Sequence, residues 1–519
     1  MNDQYDVIII GSGIGALTTG NLLAKHGKRV LMLEQHSIAG GYCTSYERRG
    51  CIFDVPVAMT NMRKGDAIER LFTYIGVNKT LEFIEIDKLA RIVGPDITFE
   101  WYTDTYKLEY ELISKFPHEE QALKRYFKTL RDLWEEMDNA HYNPTLLQML
   151  TYPVLFPKLV KYNNDTFEQF ANRFFKDEKL KELLGKEAIT LGLAEDKISA
   201  LYYIGMIMAY AQGGIWYPKG GFQKMSDAFV DCFREAGGEL RLKSRVKKII
   251  VENRKATGVE LDTGEKFHAP IVISNADTKK TFLELIDSGH LKKKFTQKIQ
   301  NLTQSYSGFV VKLGVKMPID ELKNYAWFFH FPEYGSSKKM LDLADRDKID
   351  IDNCSFSIET AALMVDESET KGVNVISLVV LPVSYRAMDT WRSADKEQYN
   401  ALKEELADKL IKKAEAHIPD LSRNIVVRDI CTPLSYERYT SATNGGWYDI
   451  AATPAQSLTN KLGPKTPIKG LYLTGAKSIL GAGLVGAIFA GLNTADTLMK
   501  GQLTNGKSYL KPELLKVKS

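Results

Sequence analysis

Residues Tyr5 to Glu34 leave few folds open to this chain. The run Val7 to Ile10 is short, apolar and β-branched, as suits a strand buried on both faces, and it ends at Gly11. Gly11-x-Gly13-x-x-Ala16 follows, with Gly15 and Gly20 beside it, and opens a helical pattern through Leu17, Leu22, Leu23 and Ala24. Gly11 permits a tight turn, Gly13 lets backbone approach a pyrophosphate, and Ala16 is small enough for helix to pack closely on strand. The first turn, with Ile14 and Gly15, offers free N–H groups and the positive end of the helix dipole to an anion. Gly27 is placed to end the helix, and Arg29 to Leu33 reads as a second strand that delivers Glu34 to the ribose hydroxyls of an adenosine. Strand, turn, helix, strand and acid in that order make a nucleotide-binding βαβ unit.

The chain has 519 residues, room for two or three lobes. Its 44% hydrophobic and 26% charged residues are ordinary for a globular protein, and a net charge of +4 gives no reason to expect nucleic acid as a partner. No run of 18 or more apolar residues appears, and the N-terminus enters the first strand within a few residues. The expectation is therefore no transmembrane helix, no leader and a cytoplasmic location. The 5 cysteines lack C-x-x-C spacing, so they are expected as small buried hydrophobes with neither metal nor disulfide. Cys43 draws notice only because it follows the Gly40-Gly41 pair.

Further along, mixed elements are expected over 66–110, helices over 117–140, 167–193, 199–211 and 222–236, and a turn-rich junction over 213–221. Strands 239–242, 246–252 and 259–261 read as one meander. Further strands are expected at 269–273, 310–315, 354–360, 373–381 and 471–474, with a helix at 396–417. Residues 146–160 are unusually apolar, interrupted by Pro153 and Pro157 and flanked by Lys158 and Lys161. Two readings stand open for them, a membrane-contact surface and a buried wall around an apolar ligand. Aromatics are dense in the middle of the chain, including Phe309, Trp327, Phe328, Phe329, Phe331, Tyr385 and Trp391, and read first as core.

Several segments together resemble the FAD-dependent phytoene desaturase, carotenoid isomerase and retinol saturase family, within the broader flavin amine oxidase superfamily. They are Gly40-Gly41, Tyr217-Pro218-x-Gly220-Gly221, Ser244-Arg245-Val246, Ser274-Asn275-Ala276-Asp277, the block Thr432-Pro433 to Arg438-Tyr439, Gly475-Ala476, and Gly481-x-Gly483-x-x-Gly486. The resemblance implies an α/β fold: a Rossmann-like FAD-binding domain of the glutathione-reductase and amine-oxidase type, with an inserted, discontinuous substrate domain. The expected division gives residues 1–100, 218–280 and 430–505 to FAD and residues 101–217 and 281–429 to substrate. It further implies that Gln35, Gly40, Gly41 and Tyr42 run past the cofactor, that Val246 meets the adenine, and that Asn275, Gly475 and Ala476 line the site. Gly483, Leu484 and Val485 would open a helix beneath the flavin. No strand ends at Gly481 and too little chain follows for another ribose-binding acid, so this is not a second dinucleotide fingerprint. Two departures stand out. Tyr42 occupies a position where many desaturases and amine oxidases carry arginine, and Phe53 to Pro56 replaces the usual F-D-x-G.

The function so implied is oxidoreduction or isomerisation at the C=C bonds of a hydrophobic polyene, a carotenoid, retinoid or other lipid, with the redox chemistry supplied by FAD. Catalytic residues beyond the cofactor, any second electron carrier and the direction of reaction are not legible. Arg438 and Tyr439 are expected in a salt bridge or the core. Alternatives are a flavin amine oxidase and, outside enzymes, a prenyl-binding escort of the Rab GDP-dissociation inhibitor type.

Overall fold

The computed structural model describes residues 5–55, 59–62, 65–86, 88–141, 144–322, 325, 327–336, 338–339, 349–360, 372–383, 387–457, 460–477, 483–504, 510–511 and 514. Tyr385, Gly481 and Pro56, singled out above, lie outside them.

Five short parallel strands form the first sheet, in the order Leu471–Leu473, Ile271–Ser274, Val7–Ile10, Val30–Leu33, Glu239–Arg241. Strand alternation divides its apolar residues between two cores. Val7, Ile9, Val30 and Met32 face a helical layer, where Ile14–Lys25 packs between Phe222–Glu235 and Gly483–Leu498. Ile8, Ile10, Leu31 and Leu33 face an antiparallel sheet of Val246–Glu252, Lys255–Leu261 and Lys266–His268. Val7–Ile10 and Val30–Leu33 therefore lack a polar face, which is why the sequence shows continuous apolar runs there. Glu239–Arg241 corrects the expected meander, because it pairs with Val30–Leu33 and leaves Lys255–Leu261 and Lys266–His268 to complete the ribbon.

The second sheet has seven strands in the order Ile425–Cys431, Ser307–Val315, Asn374–Val383, Phe356–Thr360, Trp327–His330, Lys88–Val93, Thr98–Tyr102. Neighbours are antiparallel except Trp327–His330 beside Lys88–Val93. Phe309, Val311 and Leu313 point to the long helix Lys396–Glu415 through Leu406 and Leu410. Val310, Val379 and Leu381 point the other way, into a layer of helices that includes Glu120–Asn139 and Ala200–Gly213. The boundary expected at residue 100 falls inside the strand Thr98–Tyr102 of this sheet.

One helix was expected over 167–193; there are three short pieces instead, Phe167–Ala171, Glu178–Gly185 and the 3-10 turn Lys186–Leu191. Asp177 restarts the second by accepting from the Leu180 N–H at 3.0 Å, and Gly192 ends the third at φ +73°. Residues 146–160 hold two helices, Leu146–Leu155 and Pro157–Tyr162. Pro153 does not break the first; the break comes at Phe156-Pro157. No helix among the described residues is long and apolar enough to cross a membrane.

Candidate cofactor and substrate site

The turn after the first strand is built by backbone rather than side chains. Gly11, at φ +84°, donates its N–H to Leu33 O at 2.8 Å, which ties the turn to the second strand. Gly13 begins the helix Ile14–Lys25 with no side-chain cap, whereas Asp66, Asp104, Asp177 and Ser199 cap helices elsewhere in the chain. The first-turn N–H groups are thus left for a ligand. A Cβ on Gly13 would come within 2.5 Å of the Asn275 amide, and one on Gly15 within 2.7 Å of Gly475 Cα. Asn275 spans the two loops: its side-chain oxygen accepts from Gly13 N and its nitrogen donates to Thr474 O, both at 3.2 Å. Ala16 is fully buried and serves packing, outside the cavity lining.

Gly40 and Gly41 cross this turn. Gly40 N donates to Ser12 O at 3.1 Å, and a Cβ on Gly41 would lie 3.3 Å from Gly13 Cα. Glu34 holds the crossing: its Oε2 accepts from the Ser12 N–H at 2.8 Å and the Ser12 hydroxyl at 2.7 Å, while Oε1 accepts, among the described residues, only from the His36 N–H, at 2.8 Å. With about two acceptor sites per carboxylate oxygen, Oε1 retains one directed at a ligand. Gln35 is committed to Ser441, at 3.0 and 3.2 Å. Tyr42 donates to Gly446 O at 3.0 Å and accepts from the Thr440 hydroxyl at 3.3 Å. Burial raises its pKa further, so the side chain carries no charge.

These residues line one continuous cavity of about 1870 Å³. One arm runs from Val246 and Glu34 past Gly13 and Gly41 to Gly475, Ala476, Gly483, Leu484 and Val485. Gly483 has φ +76° and no protein atom within 4 Å of where a Cβ would stand. The other arm passes Tyr436, Trp447 and Tyr448 into the helical layer and reaches Met149, Tyr152 and Leu159 of the two-helix segment. Ordinary ligand pockets span roughly 300–1,000 Å³, so this one admits two molecules side by side. A dinucleotide fits the first arm on the glycine crossing, the uncapped helix and the spare Glu34 oxygen.

Further lining residues carry buried charges or aromatic rings, and of these Asp449 and Lys477 had no local sequence signal. Asp277 accepts from Thr443 N at 2.9 Å and the Thr443 hydroxyl at 2.7 Å. Asp449 accepts from the Thr278 hydroxyl at 2.8 Å, and the Lys477 ammonium donates to Ala276 O. Desolvation pushes Asp449 up to about 7 and Lys477 down to about 8. Tyr42 and Tyr436 ring centroids lie 6.2 Å apart, and Tyr436 meets Trp447 edge-on at 5.3 Å. Trp447 Nε1 has no partner among the described residues. Arg438 lies over the Tyr439 ring at 5.6 Å, and Tyr439 is exposed rather than core. Cys43 is buried and its thiol is pushed up to about 12, which removes it from thiolate chemistry.

The far end of the cavity meets an unusual surface. Leu147, Leu150 and Val154 are 74%, 70% and 81% exposed on one apolar helix. The segment is anchored from below: Tyr152 donates to His141 O at 3.1 Å, and Glu136 accepts from Leu159 N at 2.9 Å.

Comparison with known proteins places the chain. The family model described as flavin containing amine oxidoreductase matches residues 17–499. A prolycopene isomerase, chloroplastic, of Daucus carota is 27% identical over 95% of this chain and 79% of its own. An all-trans-retinol 13,14-reductase of Danio rerio is 26% identical over 96% of this chain and 87% of its own. The solved structure of a putrescine oxidase bound to putrescine superposes with a TM-score of 0.63 at 15% identity, covering 96% of this chain and 99% of that one.

Proposed function

We propose, from the premise that this chain belongs to the flavin-containing amine oxidoreductase family and is an FAD-dependent enzyme, that it oxidises, reduces or isomerises C=C bonds of a hydrophobic polyene, as a carotenoid, retinoid or related lipid would offer. The observation that carries this is the second arm of the cavity: continuous with the dinucleotide arm, walled by aromatic and aliphatic residues, and ending at an exposed apolar helix. The names of the isomerase and retinol reductase relatives support it.

The first-turn N–H groups at Ile14 and Gly15, with Gly11, Gly13, Gly40 and Gly41, would hold the pyrophosphate. Glu34 Oε1 would accept from the ribose, and Gly475, Ala476, Gly483, Leu484 and Val485 would flank the flavin. Bound there, FAD supplies hydride transfer. The protein's part is orientation and exclusion of water. Tyr42, locked to Gly446 and Thr440, places a neutral ring where a guanidinium would otherwise put charge beside an apolar ligand. Tyr436 and Trp447 add further walls against which a flat conjugated chain can lie. We assign the sheet of Lys88–Val93 and Thr98–Tyr102 to the substrate domain, which moves its beginning from residue 101 to about 88. We also propose that the helix Leu146–Leu155 rests in a bilayer surface, with Lys158 and Lys161 at the headgroups, so that a lipid enters the cavity without crossing water.

Purified protein is expected to be yellow and to release FAD on denaturation. Incubation with candidate polyenes, followed by analysis of double-bond number and geometry, tests the reaction. A holoenzyme that leaves every polyene unchanged but turns over amines with peroxide release would overturn the reading in favour of amine oxidation.

A further inference from the structure

The cavity wall carries an ionisable group that hydride transfer to or from a polyene does not require. Glu187 lies in the 3-10 turn Lys186–Leu191, is 3% exposed, and lines the apolar arm. Its Oε1 has no hydrogen-bond partner among the described residues. Two polar groups nearby are already committed. Lys186 pairs with Glu182 at 2.8 Å, and the Tyr203 hydroxyl donates to Leu184 O at 2.6 Å. The same helical layer lines the cavity with Leu191, Leu201 and Met206, and the buried Tyr210 hydroxyl is near enough to interact electrostatically with the carboxyl. Desolvation pushes Glu187 up to about 8, so near neutrality it is a carboxylic acid with an O–H to donate.

Its place along the arm follows from two hydrogen bonds. Tyr42 donates to Gly446 O, and Tyr448, two residues on from Gly446, donates to Thr190 O, in the same turn as Glu187. The carboxyl therefore stands on the helical-layer side of the aromatic wall, in the arm left to substrate. Leaving a buried polar group unsatisfied destabilises the fold, a deficit that a leucine there would not incur.

We propose that Glu187 is a specificity-determining residue whose carboxyl hydrogen-bonds a hydroxyl or carbonyl oxygen on the substrate, so that the enzyme takes an oxygenated polyene in preference to a bare hydrocarbon. This rests on the polyene reading above. A hydrocarbon would fill the arm and leave the acid unpaired, whereas an oxygen at the right depth satisfies it. Discrimination of this kind is strong, because the penalty falls on the ligand that lacks the partner.

The test compares matched pairs on the FAD-loaded enzyme: all-trans-retinol against axerophthene, and lycoxanthin against lycopene, each differing by one hydroxyl. Affinity is read from the perturbation of flavin absorbance. In at least one pair the hydroxylated member is expected to bind roughly tenfold or more tightly. Glu187→Gln should keep that preference, since the amide still donates. Glu187→Leu should abolish it by weakening the hydroxylated ligand and strengthening the hydrocarbon, with FAD content and Tm reported beside it. Equal affinity within both pairs in the wild type overturns the inference, as does a preference that survives in a folded Glu187→Leu, and the wild-type comparison decides even if that variant fails to fold. Binding of no polyene of either kind overturns the polyene reading itself, and this inference with it.

Discussion

Two independent demands hold residue 475 to glycine. Its φ of +83° lies in the left-handed region, and a Cβ would collide with the Asn275 side-chain amide that bridges Gly13 and Thr474. Gly475→Ala is expected to yield protein whose flavin-to-protein absorbance ratio is well below that of wild type; full retention of FAD would show that the Asn275 bridge is dispensable. At Glu34 the charge matters more than the shape. Three donors converge on its carboxylate, two on Oε2 and one on Oε1. Glu34→Gln keeps the volume but turns one acceptor into a donor facing N–H groups. Hydrogen bonds to charged groups contribute about 1.5–3 kcal/mol, so FAD affinity should fall by roughly 10- to 100-fold in titration of apoprotein. These glycines and this acid were legible because each answers to its immediate neighbours in sequence. Asp449 and Lys477 were not: Asp449 meets Thr278 across 171 residues, and no local pattern records that meeting. Glu187 was hidden in the same way, since its meaning depends on the walls around it.

Elements with strong periodicity were readable, and those without it were not. Glu120–Asn139 buries Leu123, Tyr126, Phe127, Leu130 and Leu133 at helical spacing and lies where expected. Glu239–Arg241 is 3 residues long with every residue half-buried, so nothing in it states which sheet it joins. The capping box of Thr145 with Gln148 starts the helix Leu146–Leu155, and that helix runs on through Pro153 because capping and anchoring compensate the lost bond. Its outward face is the element's distinguishing property. Burying a large aliphatic side chain contributes about 1.5–3 kcal/mol, so Leu150→Ser with Val154→Ser should reduce co-sedimentation with phosphatidylcholine and phosphatidylglycerol vesicles by tenfold or more, while Tm stays unchanged. Undiminished vesicle binding would remove this face from the membrane. At the opposite end of the fold, the helix Gly483–Leu498 lies so close to Ile14–Lys25 that a Cβ on Gly491 would stand 2.6 Å from Gly15 O. Parting those helices would move the two backbones proposed to hold the cofactor.

Across the whole molecule, the fold class was legible from its two ends and the substrate side was not. The first sheet takes strands from residues 7–10, 30–33, 239–241, 271–274 and 471–473, and each of its loops toward the cavity carries a short motif. The second sheet is antiparallel for most of its width and its strands carry no such motifs, so its order could be known only from its pairing. Acid stability draws on this second sheet. His330 is packed against His417 with ring centroids 4.7 Å apart, and its Nδ1 has no partner among the described residues. Burial, with His417 and Lys413 adding to it, lowers its pKa to about 4, against roughly 6.5 in an unfolded chain. Between those values the unfolded state binds more protons, so this contribution is complete above pH about 6.5 and is lost as pH falls toward 4. In His330→Phe the decline of Tm over that window should be shallower, by on the order of a few degrees. The cofactor draws on the first sheet, and it distinguishes two dinucleotides that the fingerprint alone does not. Both share an adenosine end that would meet Glu34 and the glycine crossing, but in the proposed placement only FAD would extend to Gly475 and the Gly483 helix start. At one hundred times its Kd, FAD should stabilise apoprotein by about 2.7 kcal/mol in thermal unfolding. NAD at the same concentration should give a markedly smaller shift. An equal shift from NAD would mean that the distal glycines contribute nothing to binding, and that the adenosine end alone selects the ligand.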